Sequence, residues 1–331
     1  MLAESVRFRS LFTSNIIFMA SAHTQRTVLL TGSNGLLGQK LVNKLRGRSN
    51  LQLIATSRGE NRHPALDGYT YEPLDITDFE RLQALFEQYK PTEVINAAAM
   101  TAVDACEDDR ETCDAINIAA VRHLAGLCKE HNTRLIHVST DFIFDGSEGP
   151  YAEDAPANPL SYYGESKWKG EQIIEESGIR AAIVRTVLVY GVVADMSRSN
   201  IVLWVKNSLE AGKAIRVVED QIRTPTLAED LADGITAILF REKEGIFNLS
   251  GYEMMTVYEI ALRVADFWKL DRSLISRISS GELNQKAPRP PRTGLIILKA
   301  QTELDYQPQD FETGLQIVDK QLQLYAPASA Q

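Results

Sequence analysis

The segment Thr27-Val-Leu-Leu-Thr-Gly32-Ser-Asn-Gly35-Leu-Leu-Gly38-Gln-Lys-Leu-Val42 constrains this chain more than any other. An apolar, β-branched run leads into three glycines at intervals of three, and an amphipathic stretch follows. That order predicts strand, tight turn, helix. Glycines let the backbone come close to a pyrophosphate, and the helix N-terminus faces its charge with unpaired N–H groups. In such a turn Gly32, Asn34, Gly35, Leu36, Leu37 and Gly38 are the positions expected to face a dinucleotide.

Behind the turn the sequence alternates between strand and helix patterns. Strands are expected near Leu51 to Thr56, Tyr69 to Glu72 and Glu93 to Ala97, and again near Arg134 to Thr140 and Ala181 to Thr186. Thr77-Asp-Phe-Glu80 reads as a capping box, opening a helix that stops at Pro91. A long helical stretch reaches about Glu130, and Ser161 opens another helix. This alternation predicts an α/β chain with a Rossmann-type, doubly wound parallel sheet. After about Val187 the order loosens. Helices are expected near Ile201 to Ala211, Leu227 to Phe240 and Val257 to Trp268, with short strands near Ile215 to Val218 and Phe247 to Leu249. Pro288-Arg-Pro-Pro-Arg292 reads as a loop. The expected division is an extension over 1–26, a dinucleotide-binding core over 27–190, and a smaller C-terminal substrate-binding lobe over 191–331. Parts of that lobe return to the core.

Tyr163 and Lys167 stand four residues apart on the helix opened by Ser161. That spacing puts both side chains on one helix face, where an ammonium can hold down a phenol's pKa. A phenol so tuned can give a proton to a carbonyl oxygen while a hydride arrives at its carbon. One such pair among eleven tyrosines is weak evidence by itself. Its weight comes from the glycine turn upstream.

The 331 residues are 44% hydrophobic and 24% charged, enough for a buried core of ordinary soluble composition. A net charge of −9 argues against nucleic acid or an anionic membrane as partner. An anionic cofactor or substrate must then meet local basic residues. Cys106, Cys113 and Cys128 are odd in number and lack metal-ligand spacing, as expected of reduced thiols in a cytoplasmic protein. Leu11 to Ala22, after Arg7 and Arg9, faintly resembles a signal peptide, but Thr13, Ser14 and Asn15 interrupt it. A start at Met19 is the favoured reading. No other run is long and apolar enough to span a bilayer, and no metal is expected.

Cofactor choice follows from charge. A carboxylate after the second strand binds the ribose 2′-hydroxyl of NAD, whereas a 2′-phosphate needs a cation. Here that strand ends in Thr56-Ser57-Arg58, with Arg62 close by and no carboxylate before Glu60. NADPH is the expected cofactor and NADH the alternative.

On Thr31-Gly-Ser-Asn-Gly-Leu-Leu-Gly38, Asn96-Ala-Ala-Ala99, Ser139-Thr140-Asp141, Tyr163-Gly-Glu-Ser-Lys167 and Arg185-Thr186, the chain resembles the extended branch of the short-chain dehydrogenase/reductase superfamily. The resemblance covers Thr27 to Leu315. Within that branch it is most similar to the dTDP-4-dehydrorhamnose reductase family. The strings that carry this are Ile95-Asn-Ala-Ala-Ala-Met-Thr-Ala-Val-Asp104, Ser139-Thr-Asp-Phe-Ile-Phe-Asp145-Gly146 and Asp220-Gln-Ile-Arg-Thr-Pro225-Thr226. The resemblance implies that Tyr163 is the general acid and that Lys167 lowers its pKa and bonds the nicotinamide ribose. Thr140 would give the substrate oxygen a second hydrogen bond, and Asn117 would support the active-site backbone or a water near the lysine. Ser57, Arg58, Asp75, Ile76, Ala97, Ala98 and Ala99 would complete the cofactor site. Thr101, Asp141, Phe142, Leu188, Arg223 and Arg292 would face a nucleotide-sugar substrate, with Arg289 a further candidate for its diphosphate. A homodimer is also implied.

Dehydratases of the superfamily follow the threonine with Asp and Glu, whereas here Asp141 precedes Phe142, which argues for simple reduction. Leu188, Phe142 and Arg223 depart from the reductase family's usual Trp, Tyr and Gly. The leading expectation is an NADPH-dependent reductase of a nucleotide-diphospho-4-keto-6-deoxy sugar. Two others stand beside it. One is a cofactor-binding regulatory subunit of a methionine adenosyltransferase, which also resembles this family. The other is a reductase of a non-sugar carbonyl, which the Leu188 pocket permits.

Overall fold

A computed structural model describes residues 25–325 except 198 and 284. The expectations for the first 24 positions lie outside those residues. Strands β1 (Arg26–Thr31), β2 (Leu51–Ser57), β3 (Thr70–Pro73), β4 (Glu93–Asn96), β5 (Arg134–Thr140) and β6 (Ala181–Thr186) join the strand Gly245–Asn248 in one seven-stranded sheet. Its order is Gly245–Asn248, β6, β5, β4, β1, β2, β3, and every pairing is parallel. The Rossmann-type doubly wound sheet is therefore the architecture of this chain.

Parallel strands are buried on both faces, which is why β1, β5 and β6 are rich in consecutive apolar residues such as Val28-Leu-Leu30, Leu135-Ile136 and Ala181-Ala-Ile-Val184. Leu30, Leu53, Ile95 and Ile136 pack on one face beneath α1 (Leu36–Leu45) and the helix Ala228–Phe240. Leu29, Ile54, Val94 and Leu135 pack on the other, beneath α2 (Phe79–Tyr89) and the helix Ala120–Glu130. A third core, around Val202, Val205, Ile215 and Val264, belongs to the lobe. There the strand Ile215–Val218 pairs in parallel with Ile275–Ile278.

Three local expectations are corrected. The cap of α2 is Asp78, which accepts from the Arg81 N–H at 3.0 Å, while Thr77 turns back to Asp75. Asp lies in register with the helix's first unpaired N–H groups, and Thr77 sits one residue too early. The long helix ending at Glu130 is broken at Asp109 and passes through a π-helical turn, Ala115–Ala119. The helices Leu298–Leu304 and Phe311–Tyr325 were not anticipated.

Strand register sets where chemistry is placed. Thr31 aligns with Thr56 and Asn96, Asn96 with His137, and Thr140 with Thr186. These residues form a polar row near the carboxyl edge of the sheet. The order reverses between β1 and β4, the switch point where open α/β sheets bind ligands.

Candidate active site

Gly32 leaves β1 with φ +73°, a left-handed conformation that disfavours a side chain. A Cβ there would lie 2.8 Å from the Ala97 carbonyl carbon, and one on Gly38 would lie 2.1 Å from Gly32 O. Glycine is thus required for the turn to pack against β4 and α1, before any ligand is considered. Asn34 holds the turn to the loop after β2, donating to Glu60 O and accepting from the Arg62 N–H, each at 2.9 Å.

From this turn a cleft of about 810 Å³ runs across the sheet edge into the lobe. The remaining expected cofactor residues line it: Asn34, Leu36 and Leu37 in the turn, Ser57 and Arg58 after β2, Asp75 and Ile76 after β3, and Ala97 to Ala99 after β4. Thr101, Thr140, Asp141, Phe142, Tyr163, Lys167, Leu188 and Arg223 line its other half. Two expected residues do not line it. Asn117 lies behind the wall, and Arg292 is exposed elsewhere on the loop. Arg289 takes the place in the lining expected of Arg292.

The helix Tyr162–Ser177 carries Tyr163 and Lys167 against β5, capped by Ser161, which accepts from the Gly164 N–H at 3.2 Å. Gly164 permits the approach, since a Cβ there would meet Phe142 O at 2.2 Å. Tyr163 is buried against Cys106, Cys113 and Phe142, whose ring is 5.7 Å away in an edge-on contact. Asn117 sits in the π-helical turn. Its Oδ1 accepts from Met100 N, and its Nδ2 donates to Met100 O and Ser166 Oγ, all at 3.0 Å. It therefore fixes the backbone after β4 to the helix bearing Tyr163.

Electrostatics correct one expectation. Burial pushes the Tyr163 phenol up; the neighbouring Thr140 hydroxyl opposes this, and Asp141 adds to it. The phenol thus stands above its ordinary value even with Lys167 on the same helix face. Lys167 Nζ donates to Val138 O at 2.8 Å and lies 3.2 Å from His137 Nε2. Burial pushes the lysine down to about 8, with Glu171 opposing. Shared helix spacing puts the two on one face, but removal from water sets the direction of both shifts.

Arg223 is corrected too. It is buried, and its guanidinium donates to Ile222 O at 2.8 Å, Pro290 O at 2.7 Å, Pro291 O at 3.3 Å and Gln221 Oε1 at 3.3 Å. These acceptors use the donors that a diphosphate would need. Arg289 donates to both Asp104 oxygens, at 3.1 and 2.8 Å. Even so, among the described residues Arg58, Arg62, Lys167, Arg216, Arg223 and Arg289 line the cleft against Asp75 and Asp141. A chain of charge −9 thus gathers cations where an anionic ligand would lie.

Trp204, Arg216 and Gln221 line the lobe side and were not anticipated. Trp204 stands off the buried face formed by Val202, Leu203 and Val205, and Arg216 alternates with buried Ile215 and Val217. An exposed aromatic on an amphipathic helix was the available signal. Among the described residues no group of three or more His, Cys, Asp or Glu could hold a metal ion, and no helix is long and apolar enough to cross a membrane.

The RmlD substrate binding domain family matches residues 26–324. A probable low-salt glycan biosynthesis reductase, Agl14, of Haloferax volcanii is 32% identical over 277 residues, 83% of this chain and 91% of that protein. Methionine adenosyltransferase 2 subunit beta of Xenopus laevis is 31% identical over 271 residues, 80% of this chain and 78% of that one. Among solved structures, a dTDP-4-dehydrorhamnose reductase from Bacillus anthracis in complex with NADP has a TM-score of 0.77 at 26% identity. The match covers 89% of this chain and 99% of that one. The chain belongs to the RmlD substrate binding domain family.

Proposed function

We propose that this chain is an NADPH-dependent oxidoreductase that reduces the 4-keto group of a nucleotide-diphospho-4-keto-6-deoxy sugar. The observation that carries the reading is one continuous cleft lined both by the glycine turn and Arg58 and by Thr140, Tyr163 and Lys167. The residues present fit a dinucleotide. Ser139 Oγ, in the cleft wall, is buried with no hydrogen-bond partner among the described residues, and the cationic Arg58 replaces the carboxylate that would favour NAD. A bound nicotinamide cofactor supplies the hydride. Tyr163 gives its phenolic proton to the carbonyl oxygen as that oxygen gains charge. The charged form of Lys167 on the same helix face favours the tyrosinate left behind. Thr140 offers the oxygen a second donor.

The sugar-nucleotide substrate is supported by the cationic lining and by the reductase names that relatives carry. The test is NADPH oxidation at 340 nm with freshly generated dTDP-4-dehydrorhamnose, with Tyr163→Phe as control. Turnover that is lost in the variant, while NADPH still binds, supports the reading; near-normal turnover in Tyr163→Phe overturns the mechanism.

The similarity to methionine adenosyltransferase 2 subunit beta favours a second reading, a cofactor-binding partner subunit. Co-purification with a synthetase, together with no turnover on any keto sugar, selects it.

A further inference from the structure

His137 is a fully buried histidine in the middle of β5, between the apolar Ile136 and Val138, and the reaction above gives it no task. It is one link in a line of polar contacts that crosses the sheet. Lys167 Nζ lies 3.2 Å from His137 Nε2, and Asn96 Nδ2 lies 3.0 Å from His137 Nδ1. Thr31 Oγ1 donates to Asn96 Oδ1 at 2.6 Å and accepts from the Ala98 N–H at 3.3 Å. β5, β4 and β1 each supply one member. The line ends at Ala98, on the cofactor side of the cleft.

The chemistry of this line allows two states. Burial and the neighbouring lysine disfavour a charged ring, so His137 carries one proton on two nitrogens. With Asn96 Nδ2 donating to Nδ1, the ring proton sits on Nε2 and points at Lys167. That contact is attractive only if the lysine is a neutral amine with a lone pair to accept. An ammonium has none. A charged Lys167 needs a bare Nε2, which places the ring proton on Nδ1 and requires Asn96 to turn its amide and present Oδ1. Asn96 Nδ2 then donates to Thr31 Oγ1. Charging Lys167 adds one proton at Nζ, and the ring keeps a single proton throughout.

We propose that His137 is a positioning residue for Lys167, its tautomer and the lysine's protonation forming one coupled two-state unit that Asn96 and Thr31 extend to the cofactor wall. Its catalytic meaning rests on the reading of Lys167 given above, but the coupling itself does not. The other groups facing the lysine are Tyr163 and Glu171 on its own helix and Cys113 on the helix Arg110–Asp114. Glu171 is tied down by Arg185 at 2.7 Å. A lysine pushed down by burial to about 8 changes charge within reach of ordinary working pH.

The test uses the full chain without substrate or cofactor, so its result stands whether or not any ketone is reduced. Nitrogen NMR of labelled imidazoles distinguishes the two neutral tautomers, and the chain has only five histidines to assign. His137→Gln identifies the signal; if that variant does not fold, replacing the other four in turn does so. Carbon NMR of labelled lysines follows Lys167 in the same titration. The expected result is that His137 exchanges one neutral tautomer for the other at the Lys167 midpoint. Asn96→Asp, which can only accept, should hold the proton on Nδ1 at every pH and raise the Lys167 midpoint by about one unit. A ring that keeps one tautomer while Lys167 titrates overturns the proposal. So does an Asn96→Asp variant whose ring still exchanges tautomers or whose Lys167 midpoint does not move.

Discussion

Thr140 Oγ1 donates to Asp141 Oδ1 at 3.1 Å, so the hydroxyl beside Tyr163 has its one proton directed at the neighbouring carboxylate. It also accepts from the Phe142 N–H at 3.2 Å. Thr293 Oγ1 donates to the other Asp141 oxygen, leaving the carboxylate fully engaged inside the protein. For Thr140 to donate to a substrate oxygen, its hydroxyl must rotate away from Asp141.

Replacing Thr140 therefore separates its hydroxyl from its shape. Thr140→Val keeps the volume and removes the donor, and kcat should fall by about 100-fold, as when one preorganised donor to a developing oxyanion is lost. Thr140→Ser keeps the donor and should stay within a few-fold of the parent. Steady-state kinetics on both variants checks this. A valine variant as fast as the parent would remove Thr140 from the reaction.

Cofactor discrimination should depend on two arginines with different surroundings. Arg58 is exposed at the cleft, whereas Arg62 meets Asp195 at 3.3 Å and Ser197 at 3.2 Å. Arg58→Ala should weaken NADPH binding by about tenfold, roughly 1.4 kcal/mol, and leave NADH nearly unchanged. Asp195→Asn should tighten NADPH, because it frees Arg62 and removes a nearby negative charge. Fluorescence titrations at one fixed ionic strength measure both effects. Equal losses for the two cofactors in Arg58→Ala would place that side chain away from the 2′-phosphate.

The contrast between what was readable and what was not follows sequence distance. β5 and β6 match the expected runs residue for residue, because strands buried on both faces carry a local, largely apolar signal that His137 alone interrupts within Leu135–Val138. The cofactor half of the site is also local, since a strand, three glycines and a helix are contiguous. The lobe half draws on Trp204, Arg216, Gln221 and Arg289, which lie on separate short segments with no shared motif. Only folding brings them together. Phe311, Leu315 and Val318 do fall at helical spacing, yet the intervening polar residues hid that helix. At Tyr163 the spacing revealed the neighbour but not the burial, and burial decided the sign of the shift.

Asp230 gives a prediction for stability against pH. It is buried on the helix Ala228–Phe240, and burial pushes it up to about 6, although the Gln309 N–H donates to it at 2.9 Å. An unfolded Asp titrates near 3.9. The folded state thus binds this proton more tightly, so the group's relative contribution is most favourable below about pH 4 and is lost as pH rises through about 6. The loss by pH 8 is on the order of 2–3 kcal/mol. Asp230→Asn should therefore raise Tm at pH 8 and leave it nearly unchanged at pH 4. An equal change at both pH values would show that the proton is not responsible.

The pair Arg185 and Glu171 should show the opposite character, a buried contact that is costly to break by halves. Their side chains are 2% and 0% exposed, and Arg185 Nη2 donates to Glu171 Oε2 at 2.7 Å. Arg185 Nη1 also donates to Glu153 O at 2.8 Å. Glu171→Ala leaves the guanidinium buried with one backbone acceptor and should lower stability by about 3–5 kcal/mol. Arg185→Met with Glu171→Leu removes both charges and refills the volume, so the double variant should be more stable than the single one. Urea unfolding of the three proteins gives the comparison. A double variant no better than Glu171→Ala would mean that the loss comes from packing around the helix, and not from the stranded charge.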